Sequence, residues 1–274
     1  MKQQIIIIVI LMSLLSLTGC KSVVNKMAFH PDVDNIYPAD KLPENVSEIF
    51  ITTKDGLSLQ CYLIPNDSSN KMVIYFHGNG GNIGHRLADL RRINGFGVNV
   101  LGVGYRGYGK SEGAPSEEGV YIDGESALAY VVEQLGFAEK NVYLFGRSIG
   151  TAVAINTGQK RKLNGLILVA PLTCGKEHAK ATGLGLVSFL AGNSFDNIGK
   201  VGEILCPVLV IHGTEDRVIP FEMGERIYQA ISSPKQFIKI SGAGHNDLSL
   251  HYGDEYWSPI HDFIVGQRSA ANEQ

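Results

Sequence analysis

The chain has little net charge to offer a partner. Its 24 Lys and Arg against 27 Asp and Glu leave a formal charge of −3 at pH 7, too balanced for a surface that holds nucleic acid. No His-Glu-x-x-His and no cluster of Cys and His at ligand spacing occurs, so neither a metal nor another cofactor is implied. No uncharged apolar run reaches the roughly 20 residues of a membrane-spanning helix. There is no internal repeat and no second apolar core, which leaves one large domain for a chain of 274 residues with 44% apolar content.

The longest apolar run, Ile5–Leu17, follows Lys2 and reads as the hydrophobic region of a signal peptide spanning residues 1–19. It ends in Leu17-Thr18-Gly19-Cys20, which resembles the bacterial lipobox. That resemblance implies cleavage before Cys20, a diacylglyceryl group on its thiol, and a place in the bacterial cell envelope. Lys21 stands where an aspartate retains many such lipoproteins in the inner membrane, so the resemblance points to an outer membrane, facing the periplasm, in an organism that has one. No polybasic patch helps, and the acyl chains must do the anchoring. Residues 20–45 carry three prolines and little periodicity and read as a tether between lipid and domain. Acylation of Cys20 leaves Cys61, Cys174 and Cys206, an odd count that allows at most one disulfide. Cys174 and Cys206 flank one insertion and could meet; buried free thiols are the expectation.

From residue 46 the apolar pattern alternates between strand and helix. Val46–Thr53 and Leu57–Ile64 read as a hairpin, and Met72–Phe76 as a central strand. Then come a helix over Gly84–Asn94, a strand over Phe96–Val103, a helix near Ser116–Leu135 and a strand over Asn141–Phe145. Strands Leu166–Ala170, Val208–His212 and Gln236–Ile240 follow, with helices Thr151–Gln159, Phe221–Ala230 and Gly253–Gln267. Repeated βαβ units mean an α/β fold, a doubly wound and mostly parallel sheet, over residues 46–268 with a short tail at 269–274. Residues 171–207 exceed an ordinary crossover and form a short lid insertion, with Gly183–Ala191 as a small helix over the site.

The chemistry centres on Gly146-Arg147-Ser148-Ile149-Gly150 between a strand and a helix. This is the nucleophile elbow, where a sharp turn lifts Ser148 clear of the sheet and the glycines leave room for it. A serine nucleophile needs a base, and the base needs a carboxylate to orient it. Late strands deliver both: Val208–His212 runs into Glu215 and Asp216, and Gln236–Ile240 runs into Gly244-His245. The oxyanion needs two backbone N–H donors. Ile149 supplies one, and Asn79, in the glycine-rich loop after Met72–Phe76, the other. His178, His251 and His261 fall in the insertion or near the last helix and read as solvated or helix-face side chains.

Five ordered motifs carry a family resemblance: His77-Gly78-Asn79-Gly80-Gly81-Asn82, Tyr105 to Gly113, Gly146 to Gly150, His212-Gly213-Thr214-Glu215-Asp216, and Gly242-Ala243-Gly244-His245-Asn246-Asp247. Together they resemble the Bem46-like branch of the α/β-hydrolase superfamily, over roughly residues 46–268. The resemblance implies an α/β-hydrolase fold and a serine hydrolase acting on acyl esters or thioesters, with a small or lipid-like acyl substrate. Its His-Gly-Thr-x-Asp pattern places the acid at Asp216 and leaves Glu215 a bystander. A serine peptidase or amidase of the same fold, or an envelope binding protein without activity, are the alternatives.

One competing motif needs a physical answer. Gly104-Tyr105-Arg106-Gly107-Tyr108-Gly109-Lys110-Ser111 matches the phosphate loop of nucleotide-binding proteins letter for letter. Such a loop works by opening a helix whose free N–H groups hold phosphate. Here Glu112-Gly113-Ala114-Pro115 follows, and glycine and proline break that helix. Export would also remove the nucleotide supply. No nucleotide partner is expected, and the stretch reads as a loop packed beside the active site.

Overall fold

The computed structural model describes residues 24–34 and 36–266. The expected signal peptide, Cys20 and the tail at 269–274 lie outside the described residues. Eight strands form one sheet: β1 (Ser47–Thr52), β2 (Ser58–Ile64), β3 (Met72–Phe76), β4 (Asn99–Val103), β5 (Val142–Arg147), β6 (Gly165–Val169), β7 (Val208–Gly213) and β8 (Lys235–Ile240). Their order across the sheet is β8-β7-β6-β5-β3-β4-β2-β1. The β1–β2 and β2–β4 pairs are antiparallel and every other neighbouring pair is parallel.

Parallel strands covered on both faces must be apolar throughout, and β3, β4 and β6 are buried along their whole length. Alternate residues serve opposite faces. Ile74 and Phe76 enter one core, while Val73 and Tyr75 enter the other. The first core is covered by α2 (Glu117–Ala129), α3 (Gly150–Gly158) and α5 (Phe221–Ala230), the second by α1 (Leu87–Asn94) and α6 (Gly253–Val265). Ser116 starts α2 by accepting the Gly119 N–H at 3.0 Å, as an N-cap should.

Two boundaries moved for local reasons. The strand expected from Phe96 begins at Asn99, because the Phe96 and Gly97 N–H groups turn back to Ile93 and Asn94 to close α1. The lid insertion holds α4 (Gly175–Ala181) and a 3-10 turn at Gly185–Ala191, where the sequence suggested a helix from Gly183.

The tether reading of residues 20–45 needs correction from residue 24 onward. Residues 24–28 are helical, and Phe29 is buried in the first core with its ring edge-on to Phe195 at 5.9 Å. His30–Pro31 then pairs in parallel with Gly80–Gly81, and Asn82 Nδ2 donates to the Asp34 carbonyl at 2.8 Å. An extended segment with an aromatic anchor satisfies its backbone groups on the backbone of a glycine loop and on the Asn82 side chain.

Candidate active site

Strand β5 leads directly into Ser148, whose φ of 55° lies in the left-handed region rarely used by a residue with a Cβ. The turn is locked from three sides. Ser148 N–H donates to Val169 O at 2.8 Å, and the Ser148 carbonyl accepts Thr151 N at 2.9 Å and Thr151 Oγ1 at 2.6 Å. A Cβ on Gly146 would meet Gly150 O at 2.5 Å, so these two do crowd one another as expected. A Cβ on Gly150 would strike the carbonyls of Phe76 and His77 instead. The second glycine is therefore required by the neighbouring strand β3, a contact that the five-residue motif does not reveal.

His245 and Asp216 come to Ser148 as the sequence suggested. His245 Nε2 stands 3.1 Å from Ser148 Oγ, and its Nδ1 stands 2.7 Å from Asp216 Oδ2. Asp216 Oδ1 accepts the Val218 and Ile219 N–H groups, both at 2.8 Å. Buried His212, whose Nε2 bonds Ile219 O at 2.9 Å, lies 3.4 Å from Asp216 Oδ2. Burial opposes the charge on Asp216, but the two imidazoles and the Ile219 N–H outweigh it and hold the carboxyl well below the usual range. An ionised Asp216 accepts from Nδ1–H, which leaves Nε2 free to accept the serine proton. The two loops are also tied together, Glu215 N to Ala243 O at 2.9 Å and Gly242 N to Thr214 Oγ1 at 2.9 Å. Glu215 itself is exposed.

Asn79 and Ile149 border Ser148 in one pocket, and among the described residues neither N–H donates a hydrogen bond. The Asn79 peptide is held by its carbonyl, which accepts His30 N at 3.1 Å and Tyr108 OH at 2.7 Å. Tyr105 OH donates to His77 O at 2.9 Å, and its ring packs on the His77 imidazole at 4.4 Å. Burial, with the charge of Arg86, holds His77 down to about 3, so the ring is neutral and bonds Gly78 O at 2.7 Å through Nδ1. The loop that resembled a phosphate loop thus braces the loop of His77 and Asn79. Its Lys110 pairs with Glu48 at 2.8 Å, Ser111 Oγ donates to Gly104 O at 3.0 Å, and the next helix opens only at Glu117.

Two cavities meet at Ser148. The first, about 240 Å³, is mostly apolar and is walled by Ile149, Leu172, Ala179, Leu184 and Phe195, with Met27 and Ala28 from the amino-terminal segment. His178, read from the sequence as a solvated or helix-face side chain, stands half-exposed on α4, where it lines this pocket and bonds Val218 O at 2.8 Å through Nε2. The second, about 530 Å³, opens on the His245 side and is bordered by Asp32, His85, Arg86, Arg147 and Asn246. Cys61, Cys174 and Cys206 are free thiols, and burial pushes Cys61 and Cys206 up to about 12.

A strained serine at the end of β5, an aspartate and a histidine after β7 and β8, and a sheet of this order define an α/β hydrolase. Solved structures agree on the fold: an esterase from Pyrococcus furiosus superposes with a TM-score of 0.71 at 21% identity, covering 87% of this chain and 98% of that one. An α/β hydrolase from Penicillium gives 0.70 at 20% identity, over 82% and 99%. A family model described as serine aminopeptidase, S33, matches residues 67–199. Among curated proteins, α/β hydrolase domain-containing protein aho-3 of Caenorhabditis elegans is 34% identical over 230 residues, 82% of this chain and 68% of that protein. Human α/β hydrolase domain-containing protein 17B is 33% identical over 223 residues, 79% and 75%. The chain belongs to the α/β-hydrolase superfamily, in its Bem46-like branch.

Proposed function

We propose that this protein is a lipid-anchored serine hydrolase that cleaves acyl esters or thioesters through an acyl-enzyme on Ser148. His245 takes the serine proton as the hydroxyl attacks the acyl carbonyl, and Asp216 holds the imidazole tautomer and stabilises the imidazolium. The Asn79 and Ile149 N–H groups bind the oxyanion. His245 then protonates the leaving group, and water releases the acyl chain by the same base.

The observation that carries this reading is the continuous Asp216–His245–Ser148 chain, with contacts of 2.7 and 3.1 Å. The apolar pocket beside the oxyanion donors supports an acyl chain as the group retained on the enzyme. A panel of chromogenic esters of increasing chain length, run beside a peptide amide, tests it. Turnover of the esters that vanishes in Ser148→Ala is expected. Cleavage of the amide alone would favour the peptidase reading suggested by the description of the matching family model, and no labelling by a fluorophosphonate would leave a silent binding protein.

The anchor at Cys20 is part of the same proposal. Residues 181–195 hold no charged side chain, and Leu186 and Phe189, 96% and 67% exposed, stand three apart in a 3-10 turn and so share a face. With exposed Met27 they put an apolar rim near the pocket, suited to a lipid surface. Mass spectrometry of Cys20→Ala should find no acyl mass and a disturbed precursor; in the unaltered protein, a mature form that starts at another residue without lipid would exclude the anchor.

A further inference from the structure

His245 decides which half of the substrate lies on which side of Ser148. Its Nε2 receives the serine proton and must return it to the departing oxygen or sulfur, so the leaving group stands on the His245 side. His245 borders the second cavity and not the apolar pocket. The cavity that receives the leaving group is therefore the one bordered by Arg86 and Arg147.

Both arginines are held in place with most of their donors uncommitted. Arg86 Nη2 donates to Gly80 O at 2.7 Å, and Arg147 Nη2 donates to His245 O at 3.1 Å. Arg86 Nε is buried without a partner among the described residues. The arginines that form ion pairs among those residues are Arg106, Arg161 and Arg226; Arg86 and Arg147 are not among them. Asp32, which borders the cavity, lies 3.6 Å from His85 Nε2. Burial pushes the Asp89 carboxyl up, and the charges of Arg147 and Arg86 pull it the other way. A guanidinium with free N–H groups is the side chain that best recognises a carboxylate or phosphate.

We propose that the substrate's leaving group carries an anion, a carboxylate or a phosphate, which Arg86 and Arg147 bind while the acyl chain occupies the apolar pocket. This rests on the serine-hydrolase reading and adds the chemistry of the departing half. No atom changes hands in the recognition itself; the acyl–oxygen or acyl–sulfur bond breaks as above, and His245 supplies the proton.

The test uses octanoyl thioesters that differ only in the thiol: 2-mercaptoethanol, 3-mercaptopropionate, 2-mercaptoethyl phosphate and thiocholine. Expected is a kcat/KM about tenfold higher for the anionic thiols than for 2-mercaptoethanol, lower again for thiocholine, with the ratio shrinking as salt is added. The better of the carboxylate and the phosphate identifies the source of the anion. Arg86→Gln and Arg147→Gln should each move the ratio toward one, and Asp32→Asn should raise it. A ratio of one in the unaltered protein, or one undiminished in both arginine variants, overturns the assignment. Hydrolysis of the neutral thioester that is lost in Ser148→Ala keeps the hydrolase reading standing even then; no turnover of any thioester would sink both.

Discussion

Ser148, Asp216 and His245 stand at the C-terminal ends of three parallel strands and are buried or nearly so, while α4 and the turn after it cover the same serine with Leu184, Leu186 and Phe189 turned to solvent. At the strand ends almost every polar atom is committed, from the two N–H groups on Asp216 to the threonine on the Ser148 carbonyl. The lid is held instead by a few contacts, such as Thr173 to Glu177 and the Phe195 N–H to Glu117. The difference assigns labour. On the proposed reading, chemistry sits where the backbone is over-determined, and the choice of acyl group falls to a segment whose side chains can change without disturbing the sheet.

The largest effect should come from breaking the strand-end set. Ser148→Ala or His245→Ala should each cost about 10⁴–10⁶ in kcat, and the double variant scarcely more, because the residues act as one device. Asp216→Asn should lose about 10⁴, since the amide can favour the wrong tautomer of His245, whereas exposed Glu215→Gln serves as the near-silent neighbour. Steady-state rates on one chromogenic ester decide this; full activity in Asp216→Asn with loss in Glu215→Gln would move the acid by one residue.

A change on the lid side should alter preference while sparing chemistry. Ala179→Phe fills the wall of the apolar pocket, so kcat/KM for a long-chain ester should fall about tenfold or more relative to acetate. An unchanged chain-length profile would remove the acyl chain from that pocket. A smaller effect should come from Tyr108. Tyr108→Phe deletes the hydrogen bond to Asn79 O and, on the proposed mechanism, loosens one oxyanion donor, and a net bond of about 1 kcal/mol corresponds to roughly fivefold in kcat. KM should change little; a loss confined to KM would show that Tyr108 shapes binding alone.

The smallest effect concerns stability in acid, far from both. Arg106 donates to Asp55 at 2.8 and 3.0 Å and to buried Asp123, and these bonds with Thr53 bring Asp55 down to about 2. A folded pKa below the unfolded value means that the unfolded chain binds more protons in this window. The stabilisation is present above the ordinary carboxylate pKa and is lost as pH falls toward about 2. Asp55→Asn should flatten that part of the curve of urea midpoint against pH, and an unaltered slope would assign the acid sensitivity elsewhere, with Asp216 next in line.

Much of this was legible in the residues. A continuous run such as Met72–Phe76 can only be a covered strand, and the elbow announces itself because glycines must flank a strained serine. Asp216 could be found because the residues after a late strand resemble the family's His-Gly-Thr-x-Asp pattern, and His245 because it follows Gly242-Ala243-Gly244 in the loop after the last strand. One stretch was misread: residues 29–34 looked like a tether because an extended segment on a glycine loop leaves no period. Nothing local marks the pocket that His178 borders.

Sequence by itself determined the order of strands and helices and marked the serine, aspartate and histidine that the fold brings together, since backbone geometry and apolar runs are local demands that particular residues must meet. Only the tertiary structure decided that Tyr105 and Tyr108 brace the loop around Asn79, that His30 holds the Asn79 carbonyl, and that Arg86 joins Arg147 beside His245. Each of those contacts links residues distant along the chain. Closing such a contact costs loop entropy that the whole core offsets at once, so no short stretch of sequence carries its signature.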